Sequence, residues 1–206
     1  MDARAWDERY AATELVWSGT PNRFVAEEVA GLAPGRALDL AAGEGRNALW
    51  LAGLGWRVTA VDFSQVGLDK GAALARQHGL DVRWVCADVL TYDPGAGSFD
   101  LAVLAYLQLI ADERRTAVRS AFDALRPGGT FLLVAHDSTN LTEGTGGPSD
   151  PSVLFTAEEV LADLDGERFE VQRAERVARV VHPDEAHRGD PDRTAYDALV
   201  RVLRTA

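Results

Sequence analysis

Short apolar runs rich in Val, Leu and Ala alternate along the chain with longer stretches of helical period. That alternation predicts parallel strands joined by crossover helices, an α/β fold. Thr20 before Pro21 reads as an N-cap and first helical position, and Val25, Val29 and Leu32 then share one helix face until Pro34-Gly35 ends it. Ala37 to Ala41 predicts the first strand, Gly45 to Gly53 a helix, and Arg57 to Val61 the second strand. Ser64 should cap a helix that stops near Gly79. Val82 to Cys86 and Phe99 to Ala105 give strands three and four. Val118, Ala121, Phe122 and Leu125 follow at the i, i+3, i+4, i+7 spacing of a helix packed on a sheet. Arg126-Pro127-Gly128-Gly129 reads as the turn that ends this helix, before a fifth strand from Thr130 to Ala135.

From Asp137 to Leu154 the chain is dominated by Ser, Thr, Gly, Pro and Asp, a stretch long enough to be a lid or a disordered excursion. Thr156-Ala157-Glu158-Glu159 has the form of a capping box that opens another helix. Two late strands, around Phe169 to Val180 and Ala195 to Leu203, flank a charged loop from His182 to Arg193 and suggest an antiparallel hairpin at the sheet edge. No internal repeat or linker interrupts the pattern. A length of 206 residues favours one domain.

Charge narrows the partners. The chain carries 32 Asp and Glu against 21 Lys and Arg, a formal net charge of −11. Phosphate backbones and anionic membrane surfaces are bound mainly through Lys and Arg, so nucleic acid and membrane are poor candidates. Lys70 is the only lysine and lacks the glycine pattern of a P-loop, which excludes Walker-type phosphoryl transfer. Cys86, the single cysteine, permits no internal disulfide and no cysteine zinc cage. With no signal-like N-terminus and no run near the ~20 apolar residues of a membrane span, a soluble cytoplasmic protein is expected.

The segment richest in chemistry is Asp39-Leu40-Ala41-Ala42-Gly43-Glu44-Gly45-Arg46-Asn47-Ala48, between the first strand and a helix. Ligands in open α/β sheets bind beyond the carboxyl ends of strands, at such junctions. Gly43 and Gly45 permit a tight turn and close approach to the backbone, and the helix N-terminus behind them favours an anionic group. A glycine pair alone signals little more than a turn. Asp62 at the end of the second strand, where a carboxylate can accept ribose hydroxyls, and Asp88 just past the third change that. Acids at three successive strand ends describe a crevice for an adenosine whose tail reaches the glycine loop.

These residues resemble a known family. The segment from Asp39 to Asn47 looks like motif I of the class I S-adenosylmethionine-dependent methyltransferases, Val61-Asp62-Phe63-Ser64 like their acidic second motif, and Cys86-Ala87-Asp88-Val89-Leu90 like the third. Leu125-Arg126-Pro127-Gly128-Gly129-Thr130 is similar to the turn before their strand five, and Gly43-Glu44-Gly45-Arg46-Asn47 looks most like the tellurite-resistance and thiopurine methyltransferase-like small-molecule branch. One departure is Ala41-Ala42, where many relatives have Gly-Cys or Gly-Thr. The resemblance implies a Rossmann-like three-layer α/β/α sandwich whose seven-stranded, mostly parallel sheet has the order 3-2-1-4-5-7-6 and an antiparallel last strand. It implies one methyltransferase domain over 1–206, with N-terminal cap helices in 1–33 and a lid loop in 137–155. The cofactor it implies is S-adenosyl-L-methionine, leaving as S-adenosyl-L-homocysteine.

Carried over position by position, the resemblance places Gly43 and Gly45 against the methionine portion, counts Ala41 and Asn47 among the cofactor-binding residues and has Asp39 orient the glycine loop. It assigns Asp62 to the ribose hydroxyls, Phe63 to one adenine face, and Asp88 with Val89 to the adenine edge. Ala105 approaches the methionine end through its backbone, and Trp17 closes over the cofactor, with Trp6, Arg9 and Tyr10 as weaker candidates. The sulfonium is already an activated methyl donor, so alignment and water exclusion are the protein's main tasks. Where the acceptor is a hydroxyl or thiol a general base helps, and Tyr106, Gln108, His136 and Asp137 qualify by position, with Tyr106 and His136 the chosen catalytic candidates. His182 and His187 match no metal-ligand spacing, so no metal is expected, and His78 reads as favourable charge at a helix end. The expected acceptor is a small molecule and the protein a monomer or homodimer. Two other readings stay open: a cofactor-binding regulator without catalysis, and a nicotinamide-dependent oxidoreductase, since Gly43-x-Gly45-x-x-Ala48 with Asp62 loosely meets the dinucleotide fingerprint.

Overall fold

The computed structural model describes residues 3–13, 15, 19–181 and 192–206. Its strands are β1 (Arg36–Leu40), β2 (Arg57–Asp62), β3 (Val82–Cys86), β4 (Phe99–Ala105), β5 (Leu125–His136), β6 (Phe169–Val181) and β7 (Arg193–Arg204). They form one sheet in the order β3-β2-β1-β4-β5-β7-β6. The first five pair in parallel, and β7 runs antiparallel to both β5 and β6. This is the strand order that the family resemblance implies, with the late hairpin expected from the pattern of the chain.

Alternation along the central strands sorts side chains onto two faces. Leu38, Leu40, Ala102, Leu104, Phe131 and Leu133 pack on one side with Val118 and Phe122 of α5 (Ala111–Asp123) and Val160 of α7 (Ala157–Asp163). Ala37, Leu101, Val103, Leu132 and Val134 pack on the other with Phe24 and Val25 of α2 (Arg23–Val29) and Leu51 of α3 (Arg46–Gly53). Both faces are apolar because helices cover both, as buried parallel sheets require. Fully buried side chains such as Phe122 and Phe131 each contribute roughly 1.5–3 kcal/mol.

Local capping explains most element boundaries. Ser64 Oγ accepts from Gly67 N at the start of α4 (Gln65–His78), and Gly79 closes that helix in the left-handed conformation. Thr156 and Glu159 form the capping box of α7. Two boundaries differ from expectation. The cap of α2 is Asn22, two residues past Thr20, because its Oδ1 reaches both Phe24 N and Val25 N. Arg126 to Gly129 do not leave the sheet: β5 begins at Leu125, and the register jumps from Phe99↔Leu125 to Leu101↔Thr130, so the extra residues are absorbed as a bulge. Segment 137–155 contains α6 (Asn140–Glu143) and a 3₁₀ turn at Pro151–Val153. It is tied to the sheet by Asn140 Oδ1 accepting from Tyr196 N at 2.8 Å and by Gln108 Nε2 donating to Val153 O at 2.6 Å. Ahead of the sheet, α1 (Ala3–Ala11) lies against α4. No helix among the described residues is long and apolar enough to cross a membrane.

Candidate active site

The carboxyl ends of β1, β4 and their neighbours carry the only two non-glycine residues at positive φ among those described, Ala41 at 60° and Tyr106 at 59°. Left-handed backbone at a β-carbon costs about 1–2 kcal/mol, and such strain gathers at functional sites. After Ala41 the chain turns through Gly43 at φ 57° and Gly45 at φ 77°, the latter standing as N-cap of α3. The turn is pinned by Ala42 N donating to Val61 O and Gly45 N donating to Ala42 O. Gly45 is required twice over, because a Cβ there would overlap the Trp84 indole of β3 as well as strain the backbone. Of the other two motif residues, Ala41 is half-buried and Asn47 is turned to α2, its Oδ1 accepting from Asn22 N at 2.9 Å.

Asp39 lies beneath this loop, 1% exposed, and neither carboxylate oxygen has a hydrogen-bond partner among the described residues. Burial pushes its pKa up to about 7; the Ala48 amide and the Arg46 guanidinium partly oppose that, and Asp62 adds to it. A buried carboxyl with no well-aligned donor on either oxygen fits a site that receives a group bearing positive charge.

Asp62 has a different task. Its Oδ2 accepts from Gly43 N and its Oδ1 from Ser64 N, each at 2.8 Å, so one carboxylate ties the glycine loop to the start of α4. Burial raises its pKa while the Ser64 and Gly43 amides lower it, with Asp7 adding a further rise. Asp7 itself comes from α1, where its Oδ1 accepts from Ser64 Oγ at 2.5 Å and Val66 N at 3.2 Å. Lys70 completes this clamp by donating to Tyr10 O, Thr13 O and Glu44 Oε1. Phe63 is half-buried at the same strand end. Asp88 is exposed past β3, with Oδ1 accepting from Leu90 N at 2.9 Å, whereas the Val89 side chain is buried in the core, leaving its backbone as the part able to meet a ligand. Trp17 lies outside the described residues, as do His182 and His187.

At the ends of β4, β5 and β7 a second cluster forms. Ala105 ends β4 half-buried, and Tyr106 follows, its N–H donating to Val134 O. Tyr106 Oη donates to Asp197 Oδ2 at 3.0 Å, and Arg179 Nε donates to the same oxygen at 2.8 Å. His136 stands beside them: its ring centroid is 4.9 Å from that of Tyr106, and Nδ1 is 3.3 Å from Asp197 Oδ1. Burial together with Asp197 pushes the Tyr106 pKa up to about 12, so the phenol stays protonated. Guanidinium groups of Arg46 and Arg179 stand 6.0 and 5.7 Å from the Tyr106 ring centre. Gln108 is spent on structure, its Oε1 accepting from His136 N at 2.7 Å. Sequence reasoning reached Tyr106 and His136 but missed Asp197 and Arg179, which lie on the late hairpin with no motif around them. An acid within the apolar run from Ala195 to Leu203 was the available signal. Among the described residues no group of three or more His, Cys, Asp or Glu is placed to hold a metal ion.

Comparison with known proteins bears on the first cluster and on the fold that carries both. Residues 37–129 match the methyltransferase domain family. An uncharacterised protein of Mycobacterium tuberculosis is 30% identical over 142 residues, covering 63% of this chain and 52% of its own length. The ribosomal RNA small subunit methyltransferase C of Alcanivorax borkumensis is 31% identical over 108 residues, 50% of this chain and 33% of its own. The demethylmenaquinone methyltransferase of Thermus thermophilus is 34% identical over 105 residues, 50% of this chain and 47% of its own. The chain thus spans about half the length, or less, of the curated relatives it matches. Among solved structures, TehB of Haemophilus influenzae superposes with a TM-score of 0.74 at 18% identity, over 90% of this chain and 63% of that one. The 1,6-didemethyltoxoflavin-N1-methyltransferase of Burkholderia thailandensis, solved with bound S-adenosylhomocysteine, has a TM-score of 0.62 at 22% identity over 98% of this chain and 79% of that one. These two show the shared fold. The segment that matches the methyltransferase domain family, residues 37–129, runs from β1 to the start of β5 and carries the glycine turn, Asp39, Asp62 and Asp88.

Proposed function

We propose that the protein transfers a methyl group from S-adenosylmethionine to a small-molecule acceptor and releases S-adenosylhomocysteine. The observation that carries this reading is Asp39, a buried carboxylate with two unpartnered oxygens under a glycine turn, which suits a cofactor bearing a sulfonium and an ammonium group. The cofactor supplies an activated methyl group. Gly43, Gly45, the Ala41 backbone and Asn47 border its methionine portion, and Asp62 takes the ribose hydroxyls on the lone pairs its two amide donors leave open. Phe63, Asp88 and the Val89 backbone hold adenine, and Ala105 lines the path to the acceptor. The domain spans 1–206, with 137–155 as its lid.

The acceptor occupies the ends of β4, β5 and β7, beside Tyr106 and His136. A net charge of −11 supports a small molecule over nucleic acid or a membrane surface, although one relative acts on ribosomal RNA. The names of a demethylmenaquinone methyltransferase among the relatives and of a didemethyltoxoflavin methyltransferase of the same fold support a small acceptor, and the likeness to TehB supports the tellurite-resistance-like branch. Every residue of both clusters comes from one chain, so a monomer or a homodimer serves equally, and the single cysteine accords with a cytoplasmic setting.

The test is incubation with methyl-labelled S-adenosylmethionine and a broad panel of phenols, thiols, amines, carboxylates and chalcogen oxyanions. Labelled product from at least one is expected. Cofactor binding with no product from any of them would favour a regulator that has lost catalysis.

A further inference from the structure

We propose that His136 is the general base of the acceptor site, held in place by Asp197, and that the acceptor is therefore a hydroxyl or thiol that gives up its proton as it is methylated. This rests on the methyl-transfer reading above. Asp197 is fully buried on β7, in register with His136 across the β5–β7 ladder. Its Oδ2 is already satisfied by Tyr106 Oη and Arg179 Nε, whereas Oδ1 has no hydrogen bond and faces His136 Nδ1 at 3.3 Å, within ion-pair distance and off the line of a good hydrogen bond. Burial raises the Asp197 pKa, but His136 and Arg179 outweigh it and hold the carboxyl below its usual range, so it stays ionised. Two fixed donors on one oxygen leave the other to orient the imidazole, with Nδ1 carrying the hydrogen and Nε2 the lone pair.

The ring is confined on both sides. Tyr106 packs against it, and Gly147 approaches so closely that a Cβ there would lie 2.9 Å from His136 Cγ and Cδ2. Nδ1 is a buried atom, while Nε2 makes no hydrogen bond and is not among the buried unpartnered atoms, which leaves it as the ring nitrogen open to an incoming ligand. The charges around it are Asp197 from β7, Arg179 from β6 and, across the Tyr106 ring, Arg46 from α3; the neighbouring Tyr106 is neutral. Tyr106 and Arg179 are positioning residues: both hold Asp197, and Tyr106 also packs on the His136 ring. In the step, the acceptor's X–H bond breaks and its proton goes to Nε2, while the X–CH₃ bond forms and the S–CH₃ bond of the donor breaks with its electron pair left on sulfur. The imidazolium so formed is neutralised by Asp197. Carboxylate oxygens and the chalcogen lone pair of an oxyanion attack without giving up a proton, so a site built around this base points away from them.

The first arm of the test needs no acceptor. In ¹⁵N-histidine-labelled protein with S-adenosylhomocysteine added, the His136 ring is assigned by the signals lost in His136→Gln and its neutral tautomer read by long-range ¹⁵N–¹H correlation. The Nδ1–H tautomer is expected, moving toward Nε2–H in Asp197→Asn; an Nε2–H tautomer in the wild type overturns the proposal. The second arm follows methylation of para-substituted phenols and thiophenols of graded acidity. The wild-type to His136→Gln rate ratio should be about 10²-fold or more for the least acidic acceptor and shrink as acidity rises. A ratio independent of acidity, or turnover confined to carboxylates or chalcogen oxyanions, overturns it. Calorimetric binding of S-adenosylhomocysteine, measured on the same samples, separates failure of this base from failure of the methyltransferase reading.

Discussion

The two ends of the crevice are built on opposite plans. At the ends of β1, β2 and β3 the carboxylates of Asp62 and Asp88 are held by backbone amides of residues close to them in space and mostly in sequence, and Asp39 is held by none. At the ends of β4, β5 and β7, side chains hold one another: Tyr106, Arg179 and His136 converge on Asp197 across as many as 91 residues of sequence. The first plan fixes a ligand shape, because amides cannot be exchanged without breaking the turn. The second can change acceptor by substitution alone, since the strands beneath it do not depend on which side chains meet above.

If that contrast is right, the largest effect on folding comes from the first end. Gly45→Ala combines a left-handed backbone with overlap on Trp84 and should cost about 2–5 kcal/mol, read as a lowered midpoint in thermal or urea unfolding. An unchanged midpoint would mean the loop is not rigid. Next is Asp39→Asn. Because the folded pKa is raised from 3.8 to about 7, the folded protein binds the extra proton between those values, and stability is lost as pH rises through that window. The amide does not titrate, so its stability relative to wild type should improve by roughly 2–4 kcal/mol between pH 4 and pH 8, while cofactor affinity falls. A pH-independent difference would contradict the buried carboxylate. Asp62→Ala should weaken cofactor binding by about 1–3 kcal/mol, measured by titration. Smallest is Tyr106→Phe, which removes one hydrogen bond to Asp197 and should cost about 1 kcal/mol of stability with cofactor affinity within about twofold of wild type. A loss of cofactor affinity there as large as for Asp62→Ala would erase the distinction between the two ends.

The same contrast explains what could be read from the chain alone. The strand spans, the helix caps at Ser64 and Thr156 and the Gly43-Gly45 turn depend on local patterning and were legible as such, whereas the strand order followed only from the family resemblance. The α2 start was displaced because Asn22 out-competes Thr20 as a cap by reaching two amides, a choice propensity does not settle. Arg126 to Gly129 carries turn residues, yet pairing with β4 on either side keeps it within β5. Asp197 and Arg179 sit in strands whose pattern marks them only as charged positions, and their roles arise from β5, β7 and β6 being adjacent in the sheet. A short motif records what neighbours do for each other; it holds no trace of a carboxylate supplied from the far end of the chain.

The central claim is that the glycine turn, Asp39 and Asp62 together hold S-adenosylmethionine. Isothermal titration of the wild type and Asp62→Ala with S-adenosylhomocysteine, and with NADH as the competing nucleotide, addresses it most directly. One equivalent of S-adenosylhomocysteine should bind the wild type, with affinity about 5- to 150-fold weaker in Asp62→Ala and no binding of NADH. Binding of NADH alone, or S-adenosylhomocysteine binding unaffected by loss of the Asp62 carboxylate, would contradict the account.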